Sequence, residues 1–245
     1  MKVTFQNNAK QLVAVLKMVA TFCKRVNIVF TEDWIKIERL SDNHTGYVHV
    51  HIDNSDFSME GFPERQDPIK FGIELKHLVF ATKNVTTLSD VICLEINGVE
   101  MCVVTKTKKE ETSIMLKSEE IDDLLLTIPK DKRPQVIVDT SGKELDEKIK
   151  SVRKADGDRI VFKLESDSVV ICMEGSPDTK QTMAATVRGI YNSQVFCLSH
   201  LDNYVKPAIS KKVRLELFDQ FPMRVNYSLM SIASYATFHL ACCIE

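Results

Sequence analysis

Apolar residues recur at helical spacing between Asn7 and Ala20. At about 100° per residue, Leu12, Val15, Leu16 and Val19 share one face and Lys10, Lys17 and Lys24 the opposite one. The pattern then changes to short strands at 28–30 and 34–37, joined by Thr31-Glu32-Asp33, and to an alternating strand at 47–52. Residues 57–66 lack a period and are punctuated by Pro63 and Pro68. A second helix is predicted over 73–83, followed by strands at 91–96 and 100–105 around Asn97-Gly98, a strong hairpin signal. A strand at 113–117 closes the first half. The stretch 118–135 is acidic, then apolar, then basic, and Pro129 and Pro134 push the residues before them towards extended backbone. The cycle then restarts with a strand at 136–139 and a helix at 141–154. Strands follow at 159–164, 169–173, 182–189 and 195–198, then a short helix at 199–209 and strands at 213–218, 223–229 and 235–243.

The restart is a duplication. Lys10, Leu12, Leu16, Lys17 and Val19 recur 133 residues later as Lys143, Leu145, Ile149, Lys150 and Val152. Ile73, Leu75, His77, Leu78 and Lys83 recur at an offset of 123 as Phe196, Leu198, His200, Leu201 and Lys206. Many short strands with four helices in two similar halves define an α+β class with mainly antiparallel sheets, and exclude the βαβ alternation of a nucleotide-binding α/β fold. The expected organisation is an N-terminal domain 1–117, a connecting loop 118–135 and a C-terminal domain 136–245.

Charge refines the picture. The net formal charge is −2, yet residues 1–31 carry Lys2, Lys10, Lys17, Lys24 and Arg25 with no acid, so the remainder carries −7. A mildly acidic chain with basic stripes can attract a polyanion with one face and repel it with the rest. The seven cysteines are odd in number, form no CxxC and sit mostly in apolar runs, which points to a reducing compartment without a disulfide framework. No apolar leader and no run of membrane-spanning length is present, so a soluble intracellular protein without a membrane partner is expected.

The signatures of phosphate-binding loops, dinucleotide folds, serine hydrolases and zinc peptidases are absent. His49 and His51 share a strand face at ligand-like spacing, but nothing nearby completes a metal set, so two polar residues on a solvated face is the simpler reading. Glu119, Glu120, Asp122 and Asp123 read as a solvated acidic linker rather than a cation site. Neither enzymatic chemistry nor a cofactor or metal is expected.

The lysine faces point elsewhere. Lys143, Lys150 and Lys154, with Arg153, lie opposite Leu145, Ile149 and Val152; Lys76 and Lys83 lie opposite Leu75, Leu78 and Val79; Lys206 takes the same part in the fourth helix. Each helix alone could be ordinary solvated surface. Four helices with matched lysines could instead line a duplex, whose phosphates lysines bind without reading bases.

Four landmarks occur in order across nearly all 245 residues: Leu40-Ser41-Asp42-Asn43-His44, Leu126-Thr127-Ile128-Pro129, Ser141-Gly142 opening the third helix, and Leu240-Ala241-Cys242-Cys243-Ile244-Glu245. In these, with the internal duplication, the chain resembles the eukaryotic-type DNA sliding clamps of the proliferating cell nuclear antigen (PCNA) family. It implies a DNA polymerase processivity factor: a ring of three subunits around double-stranded DNA, with basic helices inside and sheets outside. The DNA-facing residues would be Lys10, Lys17, Lys76, Lys83, Lys143, Lys150, Arg153, Lys154 and Lys206. The implied partners are double-stranded DNA held without sequence preference, polymerase and other replication or repair proteins carrying PCNA-interacting peptides, a clamp loader, and further copies of the chain in a homotrimer.

Carried over by position, the peptide pocket comprises Leu40, His44, Leu126, Ile128, Pro129, Pro222, Ala241 and Cys242. Read from the residues alone, Leu124-Leu125-Leu126 are either buried in the body or a docking surface. The implied subunit contact uses Ser113, Ile114 and Met115 against Thr182 and Ala184. Cys242 stands where the family usually has proline, Arg133 where the connector has an aromatic, and Ile114 where an aromatic is common; these departures point to a divergent, viral or protist, version. Localisation would be nuclear, or at the site of viral DNA replication. The alternatives are a subunit of a heteromeric checkpoint-type clamp and a clamp-fold transcription or scaffold factor that does not encircle DNA.

Overall fold

The computed structural model describes residues 1–63, 67–126, 132–154, 156–205 and 209–243. Two compact units emerge: residues 1–42, 48–126 and 228–236 form the first, and residues 43–47, 127–227 and 237–245 the second. Two short segments, 43–47 and 228–236, thus group differently from the contiguous segmentation read along the sequence.

The N-terminal part of the chain runs β1 (Lys2–Phe5), α1 (Ala9–Val19), β2 (Arg25–Phe30), β3 (Trp34–Leu40), β4 (Gly46–Asp53), β5 (Ser58–Glu60), β6 (Ile69–Glu74), α2 (Leu75–Ala81), β7 (Val91–Asn97), β8 (Glu100–Lys106) and β9 (Glu111–Lys117). One sheet has the order β5-β1-β7-β8-β9, and a run β4-β3-β2-β6 forms a second layer. In α1 the Asn8 carbonyl accepts the N–H groups of Gln11 and Leu12 at 3.1 and 3.0 Å, and Leu12, Val15, Leu16 and Val19 are buried as the period predicts. Phe5, Phe30, Phe71 and Ile73 are fully buried among the sheets.

Several details differ from the sequence expectation. Lys2–Phe5 and Ile69–Glu74 are strands, and Ser58–Glu60 pairs with β1 inside a stretch that reads as irregular. The second helix begins at Leu75, not 73, because Phe71 and Ile73 still alternate into the sheet. The β7–β8 turn is Gly98-Val99, flanked by the Asn97↔Glu100 pair, with Gly98 at φ +58°, a conformation that favours glycine.

The C-terminal part runs β10 (Val136–Thr140), α3 (Gly142–Val152), β11 (Arg159–Glu165), β12 (Ser168–Met173), β13 (Ser176–Ala184), β14 (Thr186–Val187), β15 (Gln194–Cys197), α4 (Leu198–Tyr204), β16 (Val213–Leu217), β17 (Met223–Ser228) and β18 (Tyr235–Leu240). Its layers are β13-β12-β11-β15 and β14-β10-β16-β17-β18. Ser141 caps α3, its Oγ accepting the Glu144 N–H at 3.1 Å. Phe162 and Phe196 meet edge to face in the core at 5.5 Å. The strand expected over 182–189 instead begins at Ser176 and breaks at Ala185, because a polar edge strand shows no hydrophobic period. The fourth helix starts at Leu198 and ends at Tyr204, short of the expected 209.

The duplication is structural. Helices α1 and α3 span 11 residues each, and α2 and α4 span 7. Both short helices follow directly on a strand, and their matched first leucines make the same bond: Leu75 N–H to the Lys24 carbonyl at 2.8 Å, and Leu198 N–H to the Asp158 carbonyl at 2.7 Å.

Candidate functional site

In the first unit α1 packs against α2, and Leu75, Leu78 and Ala81 anchor α2. Lys10, Lys17, Lys76 and Lys83 are all exposed. Among the described residues, Lys10 and Lys17 have no acidic partner within 4.0 Å. Lys76 reaches Glu74 at 2.6 Å, and that bond holds the Glu74 carboxyl below its ordinary range. Lys83 Nζ lies 3.9 Å from the centroid of the Phe80 ring, which is itself 56% exposed.

The second unit presents the same lysine face in a different electrostatic state. Lys143 pairs with Glu147 at 3.7 Å, Lys150 with Asp146 at 2.6 Å, and Arg153 with Asp202. Lys154 is exposed. Lys206 lies outside the described residues. The cationic face of α3 is therefore internally neutralised, whereas that of α1 is free to attract an outside anion.

Much of the expected linker is fastened to the first unit. Glu119 N–H donates to the Gly72 carbonyl at 2.9 Å, and Gly72 N–H donates to Ser118 Oγ at 3.2 Å. Asn27 Nδ2 donates to the Ile121 carbonyl at 2.8 Å and to Asp123 Oδ1 at 2.6 Å. Arg39 Nη1 donates to the Asp122 carbonyl at 2.8 Å, and Lys70 Nζ to Asp123 Oδ2 at 2.6 Å. The Lys70 ammonium, with Asn27, keeps the Asp123 carboxyl below its usual range. Ile121 is buried. The acidic stretch is thus a strap rather than a freely solvated tether. It presents Leu124, Leu125 and Leu126 at 38%, 60% and 47% exposure, which decides the open choice between core and surface for these leucines.

Of the expected peptide pocket, Leu40 is half-buried at the end of β3, and its N–H donates to the Leu124 carbonyl at 2.9 Å; Leu126 is exposed. In the second unit, exposed His44 adopts φ +58° in a turn held by Asn43, whose Oδ1 accepts the Thr45 N–H at 3.2 Å. The Thr45 carbonyl in turn accepts the Ala241 N–H at 2.9 Å, which brings His44 and the Ala241–Cys242 tail together. Pro222 and Cys242 are half-buried and Ala241 is exposed. Ile128 and Pro129 lie outside the described residues.

The expected subunit-contact residues fall on two sheet edges. Ser113 and Met115 are exposed and Ile114 half-buried on β9, the last strand of its sheet. Thr182 and Ala184 are exposed on β13, which also ends a sheet. Such edges carry unpaired backbone groups ready to accept another strand.

His49 and His51 are not simply solvated. Both are half-buried around Tyr235, with His51 stacked at 5.3 Å and His49 edge-on at 5.3 Å, and burial lowers the pKa of each imidazole. Among the described residues no group of three or more His, Cys, Asp or Glu side chains could hold a metal. All seven cysteines are free, and burial pushes the Cys23 thiol up to about 12. No helix among the described residues is long and apolar enough to cross a membrane.

Sequence reasoning overlooked Phe80 and the strap anchors Asn27, Arg39 and Lys70. The helical wheel contained the signal for Phe80, since i, i+4 and i+7 place Lys76, Phe80 and Lys83 on one face. No local pattern marks the anchors.

These features define a two-domain α+β protein with mainly antiparallel sheets and, among the described residues, two α-helices in each half. Over its whole length the chain is similar to the crystal structure of Proliferating Cellular Nuclear Antigen from Entamoeba histolytica, at a TM-score of 0.84 and 18% identity, covering 99% of this chain and 98% of that one. It is equally similar to a chain of a PCNA2–PCNA3 complex from Sulfolobus tokodaii, at a TM-score of 0.85 and 18% identity, with 100% of both chains covered. The fold is that of a PCNA-like sliding clamp. No protein-family model matches the chain, and no curated protein matches it by sequence.

Proposed function

We propose that the protein is a DNA polymerase processivity factor that closes, as a trimer, around double-stranded DNA and tethers polymerase and other replication or repair proteins to it. The observation that carries this reading is the whole-chain likeness to PCNA structures, at TM-scores of 0.84 and 0.85. The exposed lysines of α1, α2 and α3 support it, because ammonium groups on helix faces contact phosphates without reading sequence. Lys76, Lys143 and Lys150 are already paired with carboxylates, which tempers the attraction and suits a clamp that must slide. Encirclement supplies retention and loose contacts permit movement, so the activity needs neither catalysis nor a cofactor.

In this reading Leu124, Leu125 and Leu126 on the strap receive partner peptides, together with Leu40, His44, Ile128, Pro129, Pro222, Ala241 and Cys242. The β9 edge of one subunit, at Ser113–Met115, pairs with the β13 edge of the next, at Thr182 and Ala184. A clamp loader opens the ring, and the protein works in the nucleus or at a site of viral DNA replication.

A second reading is a subunit of a heteromeric clamp, favoured by the likeness to a chain found in a PCNA2–PCNA3 complex. Light scattering on the purified chain separates the two. A mass near three chains, with retention on primed circular DNA that is lost on linearisation, is expected for the homotrimer. A single-chain mass that rises only with a different clamp subunit identifies the heteromer. A monomer that neither assembles nor stimulates a polymerase removes both.

A further inference from the structure

Phe80 occupies the cationic face of α2. Taking about 100° per residue, Lys76, Phe80 and Lys83 fall within an arc of roughly 60°, opposite the buried Leu75, Leu78 and Ala81. Lys83 continues the turn beyond α2, its N–H donating to the Phe80 carbonyl at 3.2 Å. A lone exposed aromatic is ordinary on a protein surface. Phe80 differs in its company. Lys83 Nζ covers one ring face at 3.9 Å, and Lys76 stands one turn earlier. The β8–β9 turn is drawn to the end of α2 by Asn84 Nδ2, which donates to Glu110 Oε1 at 2.5 Å, and that turn carries exposed Lys108 and Lys109. The acids nearby are engaged: Glu74 by Lys76 and His77, Glu110 by Asn84.

We infer that Phe80 is a stacking contact for unpaired DNA bases, so that this subunit holds single-stranded stretches and primer–template junctions more tightly than uniform duplex. The inference rests on the reading of α1 and α2 as DNA-facing. An aromatic ring flanked by ammonium groups matches a base and its phosphates together: stacking accepts any base, and the lysines meet the backbone. Intact duplex offers a helix lying along its backbone only phosphate and sugar, because its bases are already stacked. The ring therefore gains a partner only where bases are open, as at a gap, a flap or a junction.

Fluorescence anisotropy at fixed low salt tests this, using the full chain, a labelled oligo-dT and a labelled duplex of equal length. Phe80→Ala and Phe80→Leu are expected to weaken oligo-dT binding by roughly 5- to 150-fold, the range for removal of one base–aromatic stack, with duplex binding changed by less than about twofold. Phe80→Tyr should restore oligo-dT binding, which a purely structural role for apolar bulk would not require of tyrosine over leucine. Equal oligo-dT binding by wild type and both truncated variants overturns the inference, as does an equal weakening on both DNAs or wild type that ignores oligo-dT. Lys10→Gln with Lys17→Gln keeps the two readings apart. Weakened duplex binding in that variant beside an unaffected Phe80→Ala sinks the stacking contact alone. Unchanged duplex binding sinks the DNA-facing reading and the stacking contact with it.

Discussion

Gly72 and Glu119 lie so close that a Cβ on Gly72 would stand 2.1 Å from the Glu119 carbonyl oxygen. The obstacle is backbone on both sides, so no side-chain rotation relieves it. Gly72→Ala is expected to push the strap off β6, at a cost of about 1–3 kcal/mol, the usual range for overpacking. Hydrogen exchange should show reduced protection at the Glu119 amide, and denaturant unfolding a lower midpoint. Unchanged protection at Glu119 would mean that the strap does not depend on this close approach.

The free ammonium groups of α1 and the neutralised ones of α3 should contribute unequally to duplex binding. Lys10→Gln with Lys17→Gln is expected to lower affinity and flatten the salt dependence by about 0.9 in log–log slope for each phosphate that is no longer neutralised. Lys143→Gln with Lys150→Gln should do less, since Glu147 and Asp146 already satisfy those lysines. Titrations at several salt concentrations measure both slopes, and equal effects would show that the ion pairs dissolve on DNA.

The exposed leucines of the strap should carry partner affinity. A peptide of the form Gln-x-x-apolar-x-x-aromatic-aromatic is expected to bind, and Leu126→Ala to weaken it about tenfold, as truncation of an interface anchor does. Calorimetry measures this. Leu126 is 47% exposed, so its truncation should leave thermal stability nearly unchanged. Undiminished binding would place the peptide elsewhere.

The histidines around Tyr235 should make stability pH-dependent. Burial is the first cause of the lowered pKa of both His49 and His51, which favours the neutral rings in the folded chain against a reference of 6.5. The unfolded chain therefore binds more protons as pH falls through 6.5, and stability present above that value drains away as pH drops towards the folded pKa values. Glu38 and Asp53 oppose the shift and Lys36 reinforces it, without reversing its sign. The urea midpoint should fall between pH 7.5 and pH 5.5, and His49→Gln with His51→Gln should flatten that fall. A slope that survives the double substitution would assign it to other groups.

What the sequence determined by itself is what local periodicity and repetition encode. The apolar stripes of α1 and α3, the existence of one further short helix in each half, and the exposed lysines of α1, α2 and α3 were legible, because each helix repeats its burial pattern every turn. Strands were legible where one face is buried. They were hidden where both faces are polar, as at Ser176–Gln181, or where period two runs into a helix, as at Phe71, Ile73 and Leu75. Tertiary structure alone decided the rest. Asn27 and Ile121 stand 94 positions apart and Arg39 and Asp122 83, so no window along the chain could show that they fasten the acidic stretch into a strap. Likewise Asp202 reaches Arg153 only once α3 and α4 share a unit, and that ion pair helps separate a neutralised lysine face from a free one. Side-chain period reports which way a residue points; which partner it meets depends on where the chain returns.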